Sequence, residues 1–405
     1  MRRLGLTLLL AGCGASPARR TQALGATHML WLVLDGATIQ SGSSDDATLL
    51  VSSLGTAQVP AFDPSVVAPA VPAPVTAVLV DRVRSYFLAY DLDVVTAQPT
   101  SGDYAAVLVG GTSAILAPAQ PPAIAGVGKV DCGDANPRSL DFAFSASASP
   151  AQGGVVALGA TIAHEAAHGW GLEHTTNVHD PMYSVPQPQQ TLDDLFSLRF
   201  ESGAYSAFQA SGGSTPEQCG HADPIDDAVL LLSALGARTQ PLGSAPTVTL
   251  AFPPDRAVLP PTLPLRIDAS DAARVEVYRD LELVAVVGAP YQATVTLPLA
   301  AATTLTIEAV GADGQRARES RTFRVDDAIP PACDASLPCT APATCVEGFC
   351  AVASSDLSPT PADPGSEVAG RGGCTLGGRA PVPGGLALLW LAWVVRSRRS
   401  FRPRG

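Results

Sequence analysis

The stretch His164-Glu165-Ala166-Ala167-His168-Gly169-Trp170-Gly171-Leu172-Glu173-His174 constrains this chain more than any other. On a helix, residues four apart lie on one face about one turn apart, so His164 and His168 can reach a single metal ion. Glu165, beside the first histidine, is placed to hold a water at that metal and to act as its base. Gly171 lets the backbone leave the helix in a conformation that other residues reach only with strain, so that His174 can return as a third ligand. Three protein ligands leave one coordination position open, which is what a catalytic zinc needs.

The residues before the motif supply a sheet for this helix to rest on. His28-Met29-Leu30-Trp31-Leu32-Val33-Leu34-Asp35-Gly36 is an apolar run closed by a turn pair, the pattern of a central strand. Residues 57–74, punctuated by prolines, are expected to be mostly loop. From Val75 to Tyr90 the apolar positions Leu79, Val83, Tyr86, Phe87 and Tyr90 recur at spacings of three and four, which predicts an amphipathic helix. Asp91 to Val95 and Tyr104 to Val109 read as two more strands, and Leu140 to Phe144 as an alternating edge strand. Gly153-Gly154 opens the site helix, on which Leu158, Ile162 and Ala166 form a stripe turned away from the histidines. Beyond the motif, loop runs to about Cys219, and Asp226 to Leu235 reads as a closing helix. The expected fold class is α+β, a twisted mixed sheet backed by the zinc-site helix over residues 25–240.

The pattern then changes. Over residues 245–326, Val275 and Val277 alternate with Arg274 and Glu276, Leu305 and Ile307 with Thr304 and Thr306, and Phe323 and Val325 with Thr322 and Arg324. Short alternating strands parted by Pro, Asp and Gly turns predict a small all-β sandwich of immunoglobulin-like type, to which no chemistry is assigned since it holds neither Cys nor His. Residues 327–352 carry Cys333, Cys339, Cys345 and Cys350 with few core-forming residues between them. That is a disulfide-rich segment stapled by two bridges of open pairing, with zinc binding as the rival reading. Residues 353–372, rich in Ser, Pro, Asp and Gly, read as a flexible linker.

Both ends carry export features. Residues 1–24 are basic and then apolar, a signal peptide, and Leu10-Ala11-Gly12-Cys13 resembles a bacterial lipobox that would place a lipid on Cys13. Over residues 373–405, Gly373-Cys374 precedes an apolar run ending at Val395 and then Arg396, Arg398, Arg399, Arg402 and Arg404. This tail resembles the MYXO-CTERM sorting signal of myxobacteria, which implies recognition and processing at Cys374 and delivery to the cell surface. A net charge of −12 without a basic face excludes a nucleic-acid partner.

The motif as a whole resembles that of the metzincin metallopeptidases, H-E-x-x-H-x-x-G-x-x-H followed by a methionine turn. All five fixed positions are present, and Met182 in Asp180-Pro181-Met182-Tyr183 lies as close behind His174 as in matrixins. The resemblance implies one catalytic Zn2+ on His164, His168 and His174, with Glu165 as base. It further implies Met182 as an apolar floor, Tyr183 as a weaker candidate for oxyanion stabilisation, and a protein or peptide substrate paired with the strand near Leu140 to Phe144. Matrixins are held latent by a propeptide cysteine, and no propeptide of useful length precedes His28. Cys132-Gly133-Asp134 superficially resembles such a latency switch, but Cys219 is the only other cysteine left in that domain, so a Cys132–Cys219 disulfide is the preferred expectation over a latency thiol. His28, His179 and His221 are assigned no ligand role. Asp223, Asp226 and Asp227 read as a helix start, with structural Ca2+ left open. The expectation is an exported or cell-surface zinc endopeptidase, held to the membrane by lipid or tail and served by export and sorting machinery. The rival is a surface adhesion or scaffold lipoprotein with a vestigial site.

Overall fold

The computed structural model describes residues 28–116, 124–175, 177–183, 192–201, 219, 226–253, 255, 257–327, 333–334, 337–339, 344–346 and 348–353. The segment read as a signal peptide with Cys13, the tail with Cys374, His221 and Asp223 lie outside them.

In chain order, β1 (His28–Val33) leads into β2 (Ala37–Ser41), β3 (Val51–Ser52) and β4 (Ala57–Val59). Then come α1 (Pro64–Val67), α2 (Val75–Tyr86), β5 (Leu92–Val95), β6 (Ala105–Val109), β7 (Gly126–Val127) and β8 (Leu140–Ala143). The site helix α3 (Gly154–Gly169), α4 (Leu192–Ser197) and α5 (Asp227–Leu235) complete the first domain. The stretch read as loop over residues 57–74 thus holds a strand and a short helix. Asp63 caps that helix by accepting the Ser65 N–H, and Pro64 supplies its first turn.

The main sheet has the order β5-β1-β6-β8-β7, with β7 antiparallel to β8 and the others parallel. Leu30, Leu32, Val107 and Val109 face a core shared with α2 and α3, including Leu79, Val83, Leu158, Ile162 and Ala166. Trp31, Val33, Leu108, Leu140 and Phe142 face the other way, onto Ile39, Ala57 and Val59 of the small β2–β4 sheet. Both faces are covered, as a parallel sheet requires. This corrects the reading of Leu140 to Phe144 as an edge. The polar alternate, Asp141, is fully buried against the helix side instead of facing water, and the two-residue β7 is the edge.

The second half is a sandwich built from β9 (Thr247–Phe252), β10 (Ala257–Leu259), β11 (Thr262–Ser270), β12 (Arg274–Arg279), β13 (Glu282–Val287), β14 (Gln292–Thr296), β15 (Ala300–Val310) and β16 (Arg316–Val325). The hairpin of β17 (Thr344–Val346) and β18 (Phe349–Ala353) joins it. A sheet β14-β11-β9 packs on a sheet β13-β12-β15-β16-β10-β18-β17 around Leu250, Ile267, Val275, Val277, Ile307 and Phe323. In the cysteine-rich segment, β18 pairs with β10 and extends the larger sheet. Its bridges are Cys333–Cys345 and Cys339–Cys350.

Candidate metal centre

Helix α3 starts at Gly153-Gly154, both at positive φ, where Gly154 also leaves room for the Val67 carbonyl. Its histidines emerge near its end, and His164 and His168 are buried at 6 % and 4 % exposure. The helix stops at Trp170, and Gly171 follows at φ +88°. Freedom of φ is only part of what Gly171 supplies. A Cβ there would sit 3.1 Å from the Asp131 carbonyl oxygen and from the Gly133 nitrogen, so the glycine also admits the loop that carries Cys132. That loop is fixed to the site by Asp131 N–H donating to the His168 carbonyl at 2.9 Å. The Cys132–Cys219 disulfide holds it on the other side, and the Cys219 N–H donates to Glu173 at 3.2 Å.

The chain turns back after Gly171 and brings His174 to its partners. One ring nitrogen from each of His164, His168 and His174 lies within 4.8 Å of the other two, and the His164 and His174 Nε2 atoms are 3.2 Å apart. The two helical imidazoles are also oriented from behind. Nδ1 of His164 lies 2.7 Å from the Pro181 carbonyl and Nδ1 of His168 lies 2.7 Å from the Leu172 carbonyl. A carbonyl accepts only from N–H, so the proton of each neutral ring sits on Nδ1 and the Nε2 lone pair is free to bind.

Burial sets the protonation. It lowers His164 to about 4, against the pull of the Pro181 carbonyl, and lowers His174 to about 3 with help from His164. His168 goes well below the ordinary imidazole range for the same reason, with both neighbours adding to it. Neutral imidazoles converging on one point are the form that binds zinc, so the donor set fits the ion that the spacing implies. Among the described residues the other metal-like grouping consists of Cys333, Cys339 and Cys350, whose sulfurs are spent in disulfides.

Glu165 is buried at 1 % exposure with its carboxylate against the edge strand. A Cβ on Gly126 would lie 2.4 Å from its Oε1, and one on Gly128 3.0 Å from its Oε2. Gly126 and Gly128 therefore make room for the Glu165 carboxylate. Their signal in the sequence was a glycine pair two apart in a strand segment, which marks a close approach of another group.

Met182 is fully buried, in the core cluster that also holds Ala163, Ala166 and Leu172. Its turn is tied to the site at three points: Pro181 O to His164, Thr175 N to Met182 O at 3.1 Å, and Met182 N to Asp180 Oδ1 at 2.7 Å. Tyr183 follows, half-buried, with its backbone bridged to Thr175. His179 stands apart and pairs with Asp194 at 3.2 Å. Asp226 caps α5 by accepting the Val229 N–H, as a helix start should. Asp227 does something the sequence did not reveal, being fully buried beside Asp180. Burial and then its partner raise its carboxyl, and burial raises Asp180 as well.

The comparisons with known proteins bear on the second half. A family model described as "Bacterial Ig domain" matches residues 246–309, so the sandwich contains a bacterial Ig-like domain. No curated protein sequence matches the chain. Among solved structures, the fibronectin(III)-like modules of Clostridium thermocellum CbhA are similar at 21% identity. They cover 20% of this chain and 96% of that one, with a TM-score of 0.19. OgpA from Akkermansia muciniphila, inactivated and in complex with an O-glycopeptide, is similar at 10% identity over 74% of this chain and 92% of that one, with a TM-score of 0.20. Likenesses of that size carry no argument. The Ig-like domain and three disulfides suit a surface-exposed or extracellular protein, and among the described residues no helix is long and apolar enough to cross a membrane.

Proposed function

We propose that this chain is an exported zinc-dependent endopeptidase of the metzincin kind. The observation that carries the reading is the convergence of three neutral imidazoles, two of them buried and locked through Nδ1 onto backbone carbonyls, one carbonyl belonging to the methionine turn. Zinc held by His164, His168 and His174 would polarise a scissile carbonyl and acidify a water. The remaining work falls to the chain. Glu165 takes the proton of the attacking water and hands it to the leaving amine. Its position against Gly126 and Gly128 sets that proton transfer beside β7, the outermost described strand of the sheet.

Incubating the purified protein with casein, with and without a chelator, separates a peptidase from a scaffold with a vestigial site. Cleavage should stop with the chelator and return with added zinc. Glu165→Ala should keep its zinc and lose about 10²–10⁴-fold in rate, the usual worth of a positioned acid–base group. A variant that cleaves at the original rate would refute the mechanism.

A further inference from the structure

We infer that the Ig-like sandwich is the intramolecular partner that completes the fold of the site-bearing domain, so that the working unit runs through residues 28–353. On β12, Val275 and Val277 enter the sandwich core while Glu276 and Tyr278 point out; on β15, Leu305, Ile307 and Ala309 enter it while Thr306 and Glu308 point out. An outward face of an isolated sandwich would be wet. Here Glu276 and Tyr278 are 0 % exposed and Glu308 is 2 % exposed. Tyr278 and Leu283 pack in the same core cluster as Leu79, Leu158 and Ile162.

Three helices of the first domain lean on this face. Arg82 of α2 crosses α3 at Gly159, where a Cβ would stand 2.5 Å from its Cγ. Its guanidinium then grips Glu308 with both terminal nitrogens and donates to the Tyr278 hydroxyl at 3.2 Å. Arg274 reaches back to Asp81 at 2.6 Å, and Arg316 joins Glu276 at 2.9 Å to Glu308 at 2.7 Å. Three guanidiniums thus meet three carboxylates, and fork-to-carboxylate geometry fixes one docking pose. Phe196 of α4 stacks edge-on against Tyr278 at 5.0 Å, beneath Arg82. Site helix α3 begins against the turn that leads into β13, where the Leu281 carbonyl lies 3.5 Å from a Cβ built on Gly154. Parting the two halves would wet a shared apolar core and every one of these pairs, so neither half has a reason to unfold alone.

The test uses the whole chain with Trp390→Phe and Trp393→Phe, which leaves Trp31 and Trp170 as its tryptophans, both in the site-bearing domain. Ile267 lies in the core of the sandwich, in a cluster made wholly of sandwich residues. Ile267→Ala should lower the tryptophan-monitored unfolding temperature, in step with a single calorimetric transition. Ile267→Val should do the same by about 1–2 °C, and covers the case in which the alanine variant does not fold. A tryptophan transition that stays in place in the valine variant while a second calorimetric transition moves would overturn the inference. This outcome is independent of whether the chain cleaves peptides.

Discussion

Two buried polar clusters lie on different faces of α3, and they are built on opposite terms. On one, three imidazoles crowd together, burial holds them neutral, and their metal-binding nitrogens face one another. On the other, Arg82, Arg274 and Arg316 meet Asp81, Glu276 and Glu308, and charge cancels within the chain. Burial pushes the Glu276 carboxyl upward, yet Arg316, Arg274 and Arg82 outweigh it and hold the group at about 2. The contrast separates a cluster that is complete within the chain from one that has donor atoms to spare. Opposite charges that satisfy each other need nothing further, whereas like groups with convergent lone pairs are stabilised only by a cation brought from outside.

Removing one member from each cluster should therefore have different results. His168→Ala should weaken zinc binding about a thousandfold, since a site of this type is worth on the order of 10–16 kcal/mol over its ligands. Its unfolding temperature without zinc should fall only modestly, because the lost packing and the Leu172 carbonyl's lost donor are partly offset by removing a lone pair that faces those of His164 and His174. Arg82→Ala should cost about 3 kcal/mol of stability, at the low end for breaking a buried ion pair because Arg316 still neutralises Glu308. Its zinc stoichiometry, read by elemental analysis on the folded protein, should be unchanged. Loss of zinc from the Arg82 variant at a temperature where it is fully folded would break the distinction.

The first cluster was legible in the sequence and the second was not. Spacing alone brings His164, His168 and His174 together, because helical geometry and one glycine suffice to place them. The pairs Arg82–Glu308 and Arg274–Asp81 join residues far apart in the chain, and no local pattern reports them. The alternation on β12 and β15 was read correctly as strand, but it speaks only of two faces and not of what covers the polar one. The same limit made Asp141 look like the wet side of an edge strand. The bridge from Cys132 to Cys219 was accessible because few cysteines were left to pair, whereas the pairing of Cys333, Cys339, Cys345 and Cys350 required the β17–β18 hairpin to set it.

Asp180 and Asp227 form a third, smaller case, two like charges with neither an internal counter-charge nor convergent lone pairs to offer. Asp180 accepts the Met182 and Glu201 N–H groups, which suits the ionised partner and leaves Asp227 the protonated one. Glu173, Asp226 and Tyr90 also bear on the pair, and none brings positive charge. Both carboxyls titrate higher in the folded chain than unfolded, so the folded state binds more protons as pH rises from about 4, and stability falls through about 7 and about 9. Asp227→Asn keeps a donor for Asp180 and removes the second titration. Its unfolding temperature should decline less between pH 7 and 9 than that of the parent, by about 2–4 °C. Equal slopes would show that the pair does not share a proton.

The smallest effect belongs to Met182, and it tests what kind of residue closes the metal site. Met182 is fully buried, and the contacts that hold its turn run through the backbone: Thr175 N to Met182 O, Met182 N to Asp180, and Pro181 O to His164. None of them uses the side chain. Met182→Leu conserves volume and should cost less than about 1.5 kcal/mol, with zinc affinity and casein cleavage within a factor of a few of the parent. Asp180→Ala would instead leave the Met182 and Glu201 N–H groups without their acceptor, free the turn, and loosen the carbonyl that orients His164. Zinc affinity should then fall about 10–100-fold, as when a partner behind a ligand is lost. A leucine variant that lost zinc as the Asp180 variant does would mean that the thioether itself, and not the turn that carries it, supports the imidazoles.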